Sequence, residues 1–125
     1  KGKLPLYLQL NVEVRNPNEE KASMNRFLWD FFIDDKLITS GKVTKDLRVE
    51  PNGGISVLPI EVGVDLFEVL SGESADAIIN FAMNLAGNGG SPSRLKLRAK
   101  PTIYVAMTEV KYPGWITIEQ KFTSE

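Results

Sequence analysis

The chain has 125 residues, with 15 Lys and Arg against 16 Asp and Glu, a formal net charge of -1, and neither cysteine nor histidine. That length suits one domain, residues 1–125, able to bury roughly two-thirds of its unfolded surface without covalent staples. The near-balance of charge removes any global field toward nucleic acid, and the missing residue types exclude disulfides, thiolate nucleophiles, the usual zinc sites and the commonest general base near neutral pH. Hydrophobic residues at 42% and charged residues at 25% are ordinary for a soluble globule. No apolar run approaches the roughly 18 residues of a membrane-spanning helix. No signal peptide is visible, but a strand opens directly after Lys1-Gly2-Lys3. This points to a trimmed native start, so a missing leader says little about location.

Residues 4–15 alternate apolar and polar, with Leu6, Leu8, Leu10, Val12 and Val14 on one face. This is the period-2 signature of a strand with one buried side. Asn16-Pro17-Asn18 stops it: Pro17 lacks the N–H of a ladder, and both asparagines can bond nearby backbone. Residues 26–33 predict a second strand, with Phe27, Trp29 and Phe31 on one face and Leu28, Asp30 and Phe32 on the other, buried on much of both sides. Asp34-Asp35-Lys36 turns the chain into a third strand, 37–43, where Gly41 suggests a bulge or a close backbone approach. A short strand near 46–50 follows. Pro51-Asn52-Gly53-Gly54 is the strongest turn, because Asn-Gly supplies the positive φ of tight hairpin turns. Residues 55–64 form the fifth strand, with Leu58, Ile60, Val62 and Val64 inward and Pro59 marking an edge or a bulge.

The period then changes. Asp65 and Glu68 read as an N-cap and its reciprocal N3 partner over a short helical turn. Residues 74–86 predict a true helix, capped by Ser74 and stopped at Gly87. Its apolar stripe is Ala75, Ile78, Ile79, Phe81, Ala82 and Leu85, and its polar stripe Asp76, Asn80 and Asn84. After a glycine-rich loop at 87–93, residues 94–107 form a long strand, Tyr112-Pro113-Gly114-Trp115 turns the chain, and 116–122 closes it. About seven short strands, one helix between the fifth and sixth, and no internal repeat predict an all-β antiparallel sandwich.

Candidate sites are few. Asn16, Pro17 and Asn18 read first as a corner where the chain changes sheet. Arg94, Lys96, Arg98 and Lys100, at spacing two, put four positive charges on one strand face. That row is either a solvated face that discourages edge pairing or a seat for an anionic partner such as a lipid headgroup, polysaccharide or phosphate. Only Tyr104 lies further along the same face for stacking, so nucleic acid is not expected. Residues 65–93 carry Asp65, Glu68, Glu73 and Asp76 and no Lys or Arg, unlike an interfacial membrane helix. A lid over the open end of the sandwich fits better, with an apolar docking surface as the alternative. The glycines at 87–90 follow a helix and so lack the context of a phosphate cradle. Asp30, Asp34 and Asp35 lack the glycine and glutamate of a calcium loop. Ser40 or Ser56 with a lysine has no supporting motif. No metal or cofactor is expected.

The ordered set "NVEVRNPN", an aromatic strand, "IDDKLITSGKV", "VEPNGGISVLPIEVGV", a helix and "LRAKPTIYVAM" resembles the late embryogenesis abundant type 2 family, whose unit is also called the water-stress and hypersensitive-response domain. The likeness runs over residues 6–122 and centres on Asn16-Pro17-Asn18. It implies an immunoglobulin-like or fibronectin type III-like sandwich, a link to desiccation or other stress, and no catalytic residues to carry over. Bacterial members are often secreted or lipid-anchored, so a bacterial-type member would be expected in the cell envelope or periplasm. The expected function is a non-enzymatic protection or binding module contacting partly unfolded proteins or envelope components. The alternative is a structural or adhesive domain of an envelope lipoprotein. A carboxylate- or lysine-based enzyme comes third, and would need a cleft holding two carboxylates of well-separated pKa.

Overall fold

The structure, a computed structural model, describes residues 4–105, 108–111 and 115–123. The alternation at the start becomes β1 (Pro5–Asn16). The chain continues through β2 (Ala22–Ile33), β3 (Lys36–Val43), β4 (Leu47–Val49), β5 (Gly54–Asp65), α1 (Leu66–Leu70), α2 (Ala75–Leu85), β6 (Ser93–Val105), β7 (Thr108–Lys111) and β8 (Ile116–Phe122). Every strand pair is antiparallel. The fold is therefore all-β and sandwich-like, with eight strands among the described residues where seven were expected. The extra strand is β7, which folds straight back onto the end of β6. The turn expected at 112–115 falls largely outside the described residues.

The strands form two unequal sheets. The smaller contains β1 and β5 alone. In the larger, β3 and β4 share one edge of β2, β6 lies along its other edge, and β7 and β8 share the far edge of β6. Pro101 sits in the middle of β6, where a proline would ordinarily break a ladder. Here it falls between Ala99, which pairs with β8, and Thr102, which pairs with β7, so its missing N–H meets a gap in that edge.

Between the sheets lie Phe27, Trp29, Phe31 and Ile33 of β2, Leu58, Ile60, Val62 and Val64 of β5, and Leu97 and Ala99 of β6. Each large apolar side chain buried there contributes about 1.5–3 kcal/mol. The outer face of β2 is not covered by a second layer as expected: Leu28 is exposed, and Asp30 and Phe32 are half-buried beneath neighbouring cationic side chains. Strand β2 also begins earlier than the alternation suggests. A register shift between Met24 and Arg26 puts Met24 and Phe27 on the same buried face, three positions apart, which erases the period-2 signal there. Gly41 is the close approach, because it stands opposite Trp29 and any Cβ there would collide with the indole ring. The β2–β3 irregularity lies instead between Phe31 and Phe32.

The turn at 51–54 has positive φ at Asn52 (61°) and Gly53 (88°), as the Asn-Gly pair demands. It does not close a hairpin. Strand β4 pairs with β2 and β5 with β1, so this turn carries the chain from one sheet to the other. Asp65 caps α1 by accepting from the Phe67 N–H at 3.2 Å. Ser74 holds the N-cap position of α2 without a side-chain cap bond, and its hydroxyl points instead to the Leu37 carbonyl at 3.5 Å. Gly87, at φ 77°, ends α2 in the left-handed conformation, and the Asn88 N–H donates back to the Met83 carbonyl at 3.0 Å.

Candidate functional site

The expected corner at Asn16-Pro17-Asn18 is built around Asn16, the buried last residue of β1. Its Nδ2 donates to the Glu20 carbonyl (2.8 Å) and to the Val49 carbonyl at the end of β4 (3.2 Å). Its Oδ1 accepts from the Asn18 N–H (3.1 Å), an Asx turn that reverses the chain before β2. Its own carbonyl accepts from Gly53 (2.7 Å), and the Asn18 carbonyl from Asn52 (2.7 Å). One side chain thus ties together the end of β1, the start toward β2 and the sheet-crossing turn. Every polar atom of Asn16 in this set is engaged with main chain.

The basic row lies on the outer face of the larger sheet and meets acids that the sequence separates from it by about sixty residues. Arg94 pairs with Asp35, and the Lys96 ammonium is 3.3 Å from the same carboxylate. Arg98 holds Asp30 through both Nε (3.2 Å) and Nη2 (2.6 Å), and the Ser40 hydroxyl donates to the other Asp30 oxygen at 2.6 Å. The Ser40 bond and then the Arg98 bond hold the Asp30 carboxyl below its ordinary range. Arg94, then Lys96, do the same for Asp35, which in turn raises the Arg94 pKa. Asp34 accepts from the Arg94 main-chain N–H at 2.9 Å, so these three carboxylates are spent on the β2–β3 turn and its neighbour β6 rather than gathered around one point. Of the serines considered as nucleophiles, Ser40 serves Asp30 and Ser56 donates to the Arg48 carbonyl (2.6 Å).

Tertiary packing also places aromatics on the row that strand spacing alone does not show. The Arg98 guanidinium lies 4.7 Å from the Trp115 ring centroid and 5.5 Å from that of Phe32, with Lys96 4.9 Å from Phe32. Arg94, Lys96 and Arg98 are paired with carboxylates, and the exposed Lys100 lies 5.9 Å from the Trp115 ring centroid. Phe32 and Trp115 are missed by reading one strand at a time, because they arrive from β2 and from the residue before β8.

A concavity lies elsewhere. The small sheet has only two strands over a broader partner, and an open groove of about 540 Å³ remains between β1 and β8. Its wall is residues 9–13 of β1, and its floor includes Phe31, Leu97, Ile118 and Phe122. The inward side chains of β5 are buried, whereas Leu8, Leu10, Val12 and Val14 of β1 are only half-buried, since among the described residues no strand lies along their outer flank. The lining is more apolar than polar, with Glu13, Lys96, Gln120 and Lys121 beside the apolar side chains, a mixture typical of ligand clefts.

Helix α2 is rotated relative to the expected stripe. Ala77, Ile78, Phe81 and Asn84 face inward, and Phe81 meets Phe122 edge-on at 5.5 Å near one end of the groove. Ile79, Ala82 and Leu85 face outward with Met83, beside the exposed Phe67 and Leu70 of α1. The polar stripe explains the rotation. Asn80 and Asn84 both donate to the Ser91 carbonyl (2.9 and 2.8 Å) and to the Ser93 hydroxyl (3.3 and 3.0 Å), fastening the loop that leads into β6.

A crystal structure of a protein from Archaeoglobus fulgidus is similar in fold, with a TM-score of 0.54 and 13% sequence identity over 97% of this chain and 86% of that one. At that identity the likeness is one of fold alone. No family model and no curated protein matches the chain. Among the described residues, no helix is long and apolar enough to cross a membrane.

Proposed function

We propose that the chain is a non-enzymatic stress-protection module of the late embryogenesis abundant type 2 kind, built as an immunoglobulin-like or fibronectin type III-like sandwich, that binds partly unfolded proteins as water is lost. The observation that carries this reading is the apolar groove left open between β1 and β8, with half-exposed Leu10 and Val12 in its wall. Unfolded chains expose apolar side chains that the groove would shield. The test is recovery of a labile enzyme after drying and rehydration beside an equal mass of albumin. Protection well above albumin is expected, and Leu10→Asp with Ile118→Asp should reduce it. Protection equal to albumin would overturn the reading.

A second reading, an adhesive domain of a cell-envelope assembly, is favoured by the exposed patch around Trp115 and Lys100. Its test is co-sedimentation with anionic vesicles, which Trp115→Ala with Lys100→Ala should abolish.

A further inference from the structure

Pro59 determines which backbone groups β1 leaves free. It stands opposite Asn11. In a hydrogen-bonded antiparallel pair both residues donate an N–H, and proline has none. Asn11 and Pro59 are therefore a non-hydrogen-bonded pair, and the phase alternates from there. The even residues of β1 bond to β5. The N–H and C=O groups of Tyr7, Gln9, Asn11, Glu13 and Arg15 point the other way. Contacts at both ends agree with this phase, since the Leu66 N–H donates to the Leu4 carbonyl (2.8 Å) and the Gly53 N–H to the Asn16 carbonyl (2.7 Å).

Among the described residues no strand pairs with that outward edge. Sheet edges are commonly guarded by lysine, proline or a bulge. Strand β5 carries Pro59, β3 carries Lys36 and Lys42 beside a register shift, and β8 carries Lys121. Strand β1 has Pro5 and Arg15 only at its ends, and residues 6–14 between them contain no lysine, no proline and no bulge, with Glu13 their single charge. This thinly guarded stretch is also the wall of the groove, so hydrogen-bonding groups and a largely apolar cleft lie side by side.

We infer that the β1 edge accepts an extended segment of an unfolded polypeptide as a third strand of the small sheet, its alternate apolar side chains entering the groove over Leu97, Ile118 and Phe122. This rests on the protein-binding reading above and names how the partner is held. Main-chain bonds to Gln9, Asn11 and Glu13 supply affinity without regard to sequence, and alternation of apolar residues supplies the selection. At about 3.4 Å per residue the wall from Gln9 to Glu13 takes a segment of about five residues.

The probe is a synthetic nonapeptide of alternating threonine and valine with a lysine at each end, titrated into the protein and followed by amide exchange. In the free protein the amides of Gln9, Asn11 and Glu13 should exchange freely and those of Leu8, Leu10 and Val12 slowly. At saturation the first set should become protected as well. Asn11→Pro removes a free-edge N–H without breaking a bond to β5, and should weaken binding about tenfold, the worth of one or two backbone hydrogen bonds. Two peptide twins, N-methylated on alternate residues in either phase, test the same point without altering the protein, and one of them should fail to bind. If both twins bind as tightly as the parent, or the odd-numbered amides stay unprotected at saturation, strand addition is overturned and the groove works by apolar contact alone. Drying protection without peptide binding also overturns it while leaving the protective function intact, and loss of both overturns both. Reversible dimerisation that protects the same amides would overturn it in favour of a second copy.

Discussion

Replacing Asn16 by alanine leaves the Glu20 and Val49 carbonyls without their side-chain donor at a buried corner. A loss of about 2 kcal/mol is expected in urea denaturation, within the range for a buried polar network that loses a member. Asn16→Asp keeps the acceptor for the Asn18 N–H but sets a carboxylate against two carbonyl oxygens, so it should cost more than alanine. A smaller loss in the aspartate variant would count against the donor role. Asp30 makes a prediction in pH. Its carboxyl is held below the ordinary aspartate value of 3.8 by Ser40 and then Arg98. Stability from that cluster is therefore complete at neutral pH and is lost as pH falls through the lowered value. Asp30→Asn should lower the melting midpoint at pH 7 and flatten its further decline in acid. An unchanged acid decline would assign that dependence to other groups.

At the scale of elements, α2 separates what a stripe of residues implies from what packing selects. Its apolar residues wrap so far around the helix that no single inward direction is specified by hydrophobicity. The asparagines decide the phase, since Asn80 and Asn84 turn toward the loop before β6 and donate to the Ser91 carbonyl and the Ser93 hydroxyl. Phe81→Ala should therefore cost about 3–4 kcal/mol, whereas Ile79→Ser, on the outward face, should change stability by no more than about 0.5 kcal/mol. Thermal melts of the pair check this, and equal losses would mean that Ile79 is covered. The strand β2 is the converse case. Its aromatic run was plain in sequence, but its first four residues were hidden by the shift between Met24 and Arg26, which breaks the alternation on which strand reading depends.

For the whole molecule, the inequality of the sheets matters most. A two-stranded ribbon has little stability of its own, so β1 and β5 stay folded only because Leu58, Ile60 and Val62 are buried against the larger sheet. The two sheets should unfold together. The slowest amides of β5 and those of β2 are expected to report the same opening free energy, equal to that from denaturant. A lower value confined to β1 and β5 would show that the small sheet opens independently.

Alternation and turn chemistry determined the all-β class, the inward faces of β1 and β5, the sharp turn at Asn52-Gly53 and the helix between β5 and β6. These are local properties, written within a few residues of one another. Which strands pair was left to the tertiary structure. The Asn-Gly turn crosses between sheets instead of closing a hairpin, Asp30 and Asp35 meet a basic row about sixty positions away, and Phe32 of β2 and Trp115, just before β8, flank Arg98. The groove could not be read at all from the apolar face of β1. Leu8, Leu10 and Val12 look the same in sequence whether a third strand covers their flank or solvent does, because side-chain alternation reports which face is buried and carries no information on whether an edge is paired.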